Sequence, residues 1–155
     1  SDLAGEGPMS PERSGQIPAQ GLVELCFSGK YSKDEILYKI LGGGGLFALL
    51  GTKDLKDLEI KYPSLDKDKK DVVDEMIAGF SRYICSLIPD FEGEKIDQIL
   101  LTGGVVRWPL IVESIKKDLV VLNIGITVYP GEFELEALRD GAIRVLSGKE
   151  KAKEY

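Results

Sequence analysis

The sequence predicts an α/β fold of parallel strands joined by helical crossovers. Two apolar runs typical of buried strands, 96–101 and 124–128, alternate with three amphipathic helical stretches across residues 66–148. The order helix, strand, helix, strand, helix gives parallel strands with right-handed crossovers. Two strands make a poor sheet on their own. We therefore expect further strands of the same sheet to precede Ser1.

Residues 1–20 are predicted to be an extended loop. Pro8, Pro11 and Pro18 prevent a continuous helix there. A loop of this length that opens a domain is either functional or a connection to something upstream.

Residues 21–65 are predicted to form a subdomain of short helices. The apolar stretch 21–27 forms the first. Ser32 followed by Glu35 matches a capping box and begins a second helix that runs to Leu41. Four glycines, 42–45, then interrupt the chain, because few helices or strands tolerate such a run. A last short helix begins with residues 52–54.

Residues 66–148 are predicted to be the α/β unit. Apolar residues at steps of three and four over 71–88 predict a long amphipathic helix that ends before Pro89. The strand 96–101 follows, and Pro109 suits the first turn of the next helix.

The unit closes with the second strand, 124–128, and a final helix. Leu135, Leu138, Ala142, Val145 and Leu146 form the apolar stripe of that helix. Gly148 ends it, and residues 149–155 are predicted to be a frayed tail.

Composition excludes several functional classes. The chain of 155 residues has 20 Lys and Arg against 26 Asp and Glu, a net charge of −6, which argues against nucleic acid or an anionic membrane as partner. Its apolar runs are too short to span a bilayer. The absence of histidine excludes Ser-His-Asp and Cys-His triads and histidine-ligated metals.

The cysteine content indicates a reduced, cytoplasmic protein. The two cysteines, Cys26 and Cys85, lie in apolar stretches and are expected to be small buried hydrophobic residues. The first residues have neither the basic nor the apolar segment of a signal peptide.

Two glycine-rich turns follow the predicted strands, where parallel sheets bind ligands. Gly103-Gly104 would let a nucleotide approach the backbone beside a helix N-terminus; a tight turn without ligand explains the pair equally well. In the second turn, Glu132 and Glu134 precede a helix, where compensation of the helix dipole is the favoured explanation. No Gly-x-Gly-x-x-Gly follows a strand, so a dehydrogenase-type dinucleotide domain is disfavoured.

Arg13 lies in a proline-bounded loop that can hold a guanidinium in a fixed position. The planar donors of arginine match the oxygens of a phosphoryl group in transfer. A solvated loop arginine is the alternative, and the loop pattern alone favours it. The four-glycine run lacks the Gly-Lys-Ser/Thr of a phosphate loop.

Several segments share order and sequence with a known family: 5–15 (GEGPMSPERSG), 22–31 (LVELCFSGKY), 45–54 (GLFALLGTKD), 101–104 (LTGG), 128–132 (VYPGE) and the tail 150–155 (EKAKEY). In this order they resemble the C-terminal part of the butyrate kinases. These form part of the acetate/butyrate kinase family, within the acetate kinase–sugar kinase–actin superfamily.

The resemblance implies an incomplete ribonuclease-H-like (actin-like ATPase) lobe with an added helical subdomain. It implies phosphoryl exchange between a short-chain acyl phosphate and ADP, or the carboxylate and ATP, with Mg²⁺. The implied site residues are Arg13 for catalysis; Asp54, Leu55, Lys56, Gly103, Gly104, Val105 and Arg107 for the nucleotide; and Glu134, then Glu132, for the metal.

The resemblance also implies that this chain is a fragment. Family members have two lobes, and the N-terminal lobe and a glycine-rich strand hairpin of the second lobe have no counterpart here. We therefore expect the missing N-terminal lobe as a partner, a homo-oligomer, and little or no turnover by the isolated chain. The alternative is a catalytically silent nucleotide-binding or dimerisation fragment.

Overall fold

The computed structural model describes residues 7–131 and 134–152. In this part of the chain the helices and strands, in order, are α1 Ala19–Cys26, α2 Lys33–Leu41, α3 Gly45–Leu50, α4 Leu55–Lys61, α5 Lys67–Ser86, β1 Gln98–Gly103, α6 Pro109–Asp118, β2 Gly125–Pro130 and α7 Glu134–Leu146.

Side-chain caps set the start of several helices. The predicted capping box of α2 is confirmed: the Glu35 backbone N–H donates to Ser32 Oγ at 3.3 Å, and Glu35 Oε2 accepts from the Ser32 backbone N–H at 2.8 Å. The α5 helix begins earlier than its apolar pattern predicts, at Lys67, because the Asp66 carboxylate accepts from the Lys69 backbone N–H at 3.0 Å.

The two strands pair in parallel, as predicted, and only one face of their sheet is covered. In the register Ile99 lies opposite Ile126, and Leu101 lies opposite Val128. All four pack on the core. Leu100 points to the other face, where 61% of its surface is exposed.

The core lies between α5, α6 and the covered face of the sheet. The α5 and α6 helices pack against each other, and the Ser81 hydroxyl donates to Asp118 Oδ2 at 2.8 Å between them. The buried apolar residues that form the core are Leu46, Leu58, Val73, Met76, Ile77, Leu101, Val106, Trp108, Ile111, Val112, Ile115 and Leu119.

The α7 helix has the predicted apolar stripe, but this stripe is exposed. Leu135 and Leu146 are 80% and 86% exposed, respectively. No helix in the described part of the chain is long and apolar enough to cross a bilayer.

The expectation that both cysteines are buried is wrong. Cys26 and Cys85 are exposed. Cys26 is the last residue of α1, which has no buried residue, and Cys85 lies beyond Ser81, the last buried residue of α5. Amphipathic spacing alone does not show which helix surfaces find a packing partner.

Tyr62, which follows α4, contacts Trp108, which precedes α6. Their rings meet edge to face, with centroids 5.5 Å apart. The Tyr62 hydroxyl donates to Asp74 Oδ1 at 2.6 Å. Burial, followed by this hydrogen bond, raises the pKa of Tyr62 from 10.0 to about 12.

The raised pKa predicts a loss of stability in alkali. The unfolded chain releases the Tyr62 proton near pH 10, whereas the folded chain keeps it until about pH 12, so this contribution is complete below pH 10 and is lost across that window. Urea unfolding followed by circular dichroism should show a shallower decline with pH for Tyr62→Phe. At neutral pH the same variant should lose about 1 kcal/mol with the hydrogen bond. Identical slopes for both proteins would contradict the assignment.

Candidate functional site

Residues 10–13, the arginine turn, carry Arg13 on a closed loop of backbone. The Ser10 N–H donates to the Arg13 carbonyl at 3.1 Å, and the Arg13 N–H donates to Ser10 Oγ at 3.2 Å. These bonds and Pro11 leave the backbone of the turn little freedom.

The arginine turn is attached to the N-terminus of α3. Its carbonyls accept in succession: Ser10 from the Leu46 N–H at 3.3 Å and Pro11 from the Phe47 N–H at 2.9 Å. The Glu12 carbonyl accepts from the Gly44 N–H at 3.0 Å. The first N–H groups of a helix have no partner within it, and α3 has no side-chain cap. The arginine turn therefore supplies the acceptors that begin α3.

The four-glycine run allows this close approach. Gly45 has a φ of +57°, and a Cβ there would lie 1.9 Å from the Ser10 carbonyl oxygen and 2.7 Å from that of Arg13. At Gly44 a Cβ would lie 2.6 Å from the Ser14 nitrogen. Residues 42–44 separate α2 from α3, as predicted, whereas Gly45 is the first residue of α3. The run also holds the arginine turn, an effect that no local sequence pattern indicates.

The arginine turn forms one wall of a cleft of about 570 Å³. Six of the predicted catalytic and nucleotide residues line this cleft together: Arg13, Asp54, Leu55, Lys56, Gly104 and Val105. Their roles stay predictions, but their meeting at one place joins three segments that are far apart in the sequence.

Gly103 and Arg107 are not among the residues that line this cleft. Gly103, the last residue of β1, exchanges two backbone hydrogen bonds of 3.1 Å with Gly131. Arg107 ends the short 3-10 turn that follows, with an exposed side chain.

Asp54 has a structural task at the cleft. Its carboxylate accepts from the backbone N–H groups of Lys56 at 2.9 Å and Asp57 at 3.1 Å, and so caps α4. The cap places Leu55 and Lys56 in the first turn of α4, on the cleft.

Charges at the cleft are paired unequally. Lys53 Nζ lies 2.6 Å from Glu12 Oε2. The hydrogen bond and charge of Lys53 lower the pKa of Glu12, and those of Glu12 raise the pKa of Lys53. Within residues 7–131 and 134–152, no ion pair engages Arg13 or Lys56. The cleft therefore has an excess of positive charge.

Metal-ligating side chains do not cluster among the described residues. Among them no group of three or more acidic, cysteine or histidine side chains could hold a metal ion, and the carboxylate of Asp54 already caps α4. Glu132 lies outside the described residues, and so does the side chain of Glu134, the first residue of α7. Both metal assignments stay predictions.

No protein-family model matches this chain. Butyrate kinase 2 of Clostridium acetobutylicum is 46% identical over 153 residues, which are 99% of this chain and 42% of that protein. A probable butyrate kinase of Clostridium botulinum, strain Alaska E43, is 43% identical with the same coverage. The predicted resemblance to the butyrate kinases is confirmed. The chain spans 42% of the length of these relatives.

Solved structures show which fold this chain shares. Porphyromonas gingivalis acetate kinase superposes with a TM-score of 0.75 over 89% of this chain and 41% of its own, at 17% identity. A propionate kinase of Francisella tularensis superposes with a TM-score of 0.71 over 84% of this chain and 39% of its own, at 20% identity. The fold is that of the acetate and propionate kinases, with one partial lobe in this chain, as predicted.

Glu12 and Lys53 line the cleft and were missed as a pair by the sequence analysis. Each stands beside a predicted site residue, Arg13 or Asp54, but 41 positions separate them. The sequence shows that two residues of opposite charge each stand next to a predicted site residue. It does not show that they form an ion pair, because that depends on how the chain folds.

The glycine contacts predict a large difference between two alanine variants. Gly51 also has a positive φ, +75°, but a Cβ there meets nothing within 4 Å. Gly51→Ala should therefore lose only about 1 kcal/mol for the left-handed backbone. Gly45→Ala adds the overlap with the arginine turn and should lose about 3 kcal/mol. Urea unfolding measures both; equal losses would show that the arginine turn does not depend on Gly45.

Proposed function

We propose that this chain is the C-terminal part of a short-chain carboxylate kinase of the butyrate kinase type. The reaction is phosphoryl transfer between an acyl phosphate and ADP, or between the carboxylate and ATP. One observation carries the proposal: Arg13 lines the same cleft as the predicted nucleotide segments at residues 54–56 and 104–105. The sequence relatives support the reaction class, since those proteins are named butyrate kinases.

Arg13 is proposed to stabilise the phosphoryl group during transfer. Charge in that transition state spreads over three equatorial oxygens, and catalysis depends mainly on positioning and electrostatics. The guanidinium has a donor fork that matches such oxygens. Its backbone is fixed before substrate arrives by the bonds to α3, so little reorganisation is needed. An arginine in this role contributes about 10³-fold in rate, or about 4 kcal/mol.

The nucleotide is proposed to bind along the wall formed by α4 and the turn after β1. Leu55 and Val105 are half-buried apolar residues on that wall, suited to the face of a base. Gly104 leaves backbone accessible between them, and Lys56 offers positive charge for phosphates. Magnesium accompanies such nucleotides and neutralises phosphate charge. The described residues supply no ligand set for it, so we assign it no step.

The rest of the active site is proposed to lie in the larger part of the protein. The chain spans 42% of the length of its butyrate kinase relatives, and we propose that the pocket for the short-chain acid lies in the remainder of the protein. We therefore propose that the chain alone has little or no turnover. We also propose that the whole enzyme is a homo-oligomer. A catalytically silent nucleotide-binding or dimerisation fragment is the second candidate, favoured by the exposed apolar stripe of α7.

The catalytic role of Arg13 predicts the kinetics of two variants of the full-length protein. Arg13→Ala should lower kcat about 10³-fold, with a small change in the KM for nucleotide. Arg13→Lys keeps the charge but loses the donor fork, so its kcat should lie between those of the parent and Arg13→Ala. An acyl-hydroxamate assay measures both. Arg139→Ala, which removes an exposed arginine paired with Asp140, is the matched control, and an unchanged rate in Arg13→Ala would refute the role.

The proposed nucleotide wall predicts binding by the chain itself. Titration calorimetry with ATP and Mg²⁺ should detect heat that Gly104→Leu abolishes, because the new side chain fills the cleft. The φ of Gly104, −68°, is one that leucine readily adopts. Gly21→Leu, in α1 where a Cβ meets nothing within 4 Å, is the matched control, and circular dichroism checks folding. No heat with a folded chain would count against the nucleotide site.

A further inference from the structure

An ion pair links two of the segments that line the cleft. Lys53 Nζ and Glu12 Oε2 lie 2.6 Å apart, and the residues are 41 positions apart in the chain. Glu12 is the neighbour of Arg13 in the arginine turn. Lys53 is the neighbour of Asp54, which caps α4.

The backbone at each end of this ion pair is itself fixed. The Glu12 carbonyl accepts from the Gly44 N–H at 3.0 Å, directly before α3. At the other end of α3, Gly51 closes the helix, and Thr52 Oγ1 accepts from the Asp54 N–H at 3.2 Å. The Glu12–Lys53 bond therefore closes a loop that contains α3. One link of this loop lies just before the helix, at Gly44, and the other lies just after it, at Lys53.

The ion pair adds a direct side-chain link between the two sides of the cleft. The other connections run through α3 and through the core, on which Met9 and Leu55 pack. With the ion pair, the segments that carry Arg13 and Lys56 are joined directly at the cleft they line. Both partners are charged at neutral pH, because pairing lowers the pKa of Glu12 and raises the pKa of Lys53.

We propose that the Glu12–Lys53 ion pair is a positioning device that holds the arginine turn at a fixed distance from the nucleotide segment on α4. The inference rests on the proposed kinase function. Glu12 and Lys53 are positioning residues, since they act through Arg13 and α4. The side chains of the pair are 42% and 56% exposed, and such pairs contribute little to global stability. A small displacement of a catalytic group, in contrast, lowers the rate strongly.

The test is a double-mutant cycle in the full-length kinase. Glu12→Gln and Lys53→Met should each lower kcat about 5- to 20-fold, with a KM for nucleotide within about twofold and an unchanged thermal midpoint. The double variant should be no slower than the slower single variant, because either change already breaks the pair. Lys53→Arg keeps the pair and should stay within about threefold of the parent. Lys67→Met, which breaks the exposed Lys67–Asp71 pair on α5, is the matched control and should be neutral.

Two results would overturn the proposal. Multiplying effects in the double variant would show that the two residues act independently. An effect of Lys53→Met on the KM for nucleotide alone, with Glu12→Gln neutral, would show that Lys53 binds the nucleotide directly. Arg13→Ala in the same series distinguishes failure of the proposed function from failure of the positioning role. If its rate is unchanged, the proposed function fails; if its rate collapses while the cycle shows no coupling, only the positioning role fails.

Discussion

The candidate site depends on the hydrogen bonds between the arginine turn and the first turn of α3. Each segment satisfies backbone groups of the other. The first N–H groups of α3 have no side-chain cap, and the carbonyls of the arginine turn accept from them. The backbones must come closer than any Cβ permits, so glycine is required at positions 44 and 45. Because Leu46, the next residue of α3, is fully buried, the same contact ties Arg13 to the hydrophobic core. The loop is thereby attached to the buried end of α3.

The local charge of the cleft differs in sign from the charge of the chain. The chain carries −6, yet the carboxylates at the cleft are engaged: Glu12 with Lys53, and Asp54 with the N–H groups of α4. Arg13 and Lys56 are left to attract an anion. Acidic composition therefore argues against a polyanionic polymer as partner, but not against a nucleotide phosphate, which meets only a few residues.

Local patterns in the sequence predicted much of the fold, and tertiary contacts account for what they missed. Capping residues gave the start of α2, and the apolar runs gave two parallel strands, because both signals are contained within a few residues. The approach of residues 10–13 to Gly44 and Gly45 depends on a chain reversal through α1 and α2, which no local pattern specifies. The same holds for the exposure of Cys85, since an apolar stretch predicts a face but not whether another element covers it. The six predicted site residues that line one cleft were identified by the family resemblance. Hydrophobic periodicity did not indicate them.

The distribution of burial separates the candidate cleft from the exposed apolar surface of the chain. The arginine turn, α3 and the turn after β1 all rest on the core, through Leu46, Val106 and Leu101. Leu100 and the α7 stripe, in contrast, are exposed apolar surface, and within the described residues the sheet has two strands. The wall that carries Arg13 therefore does not depend on that uncovered surface for its geometry.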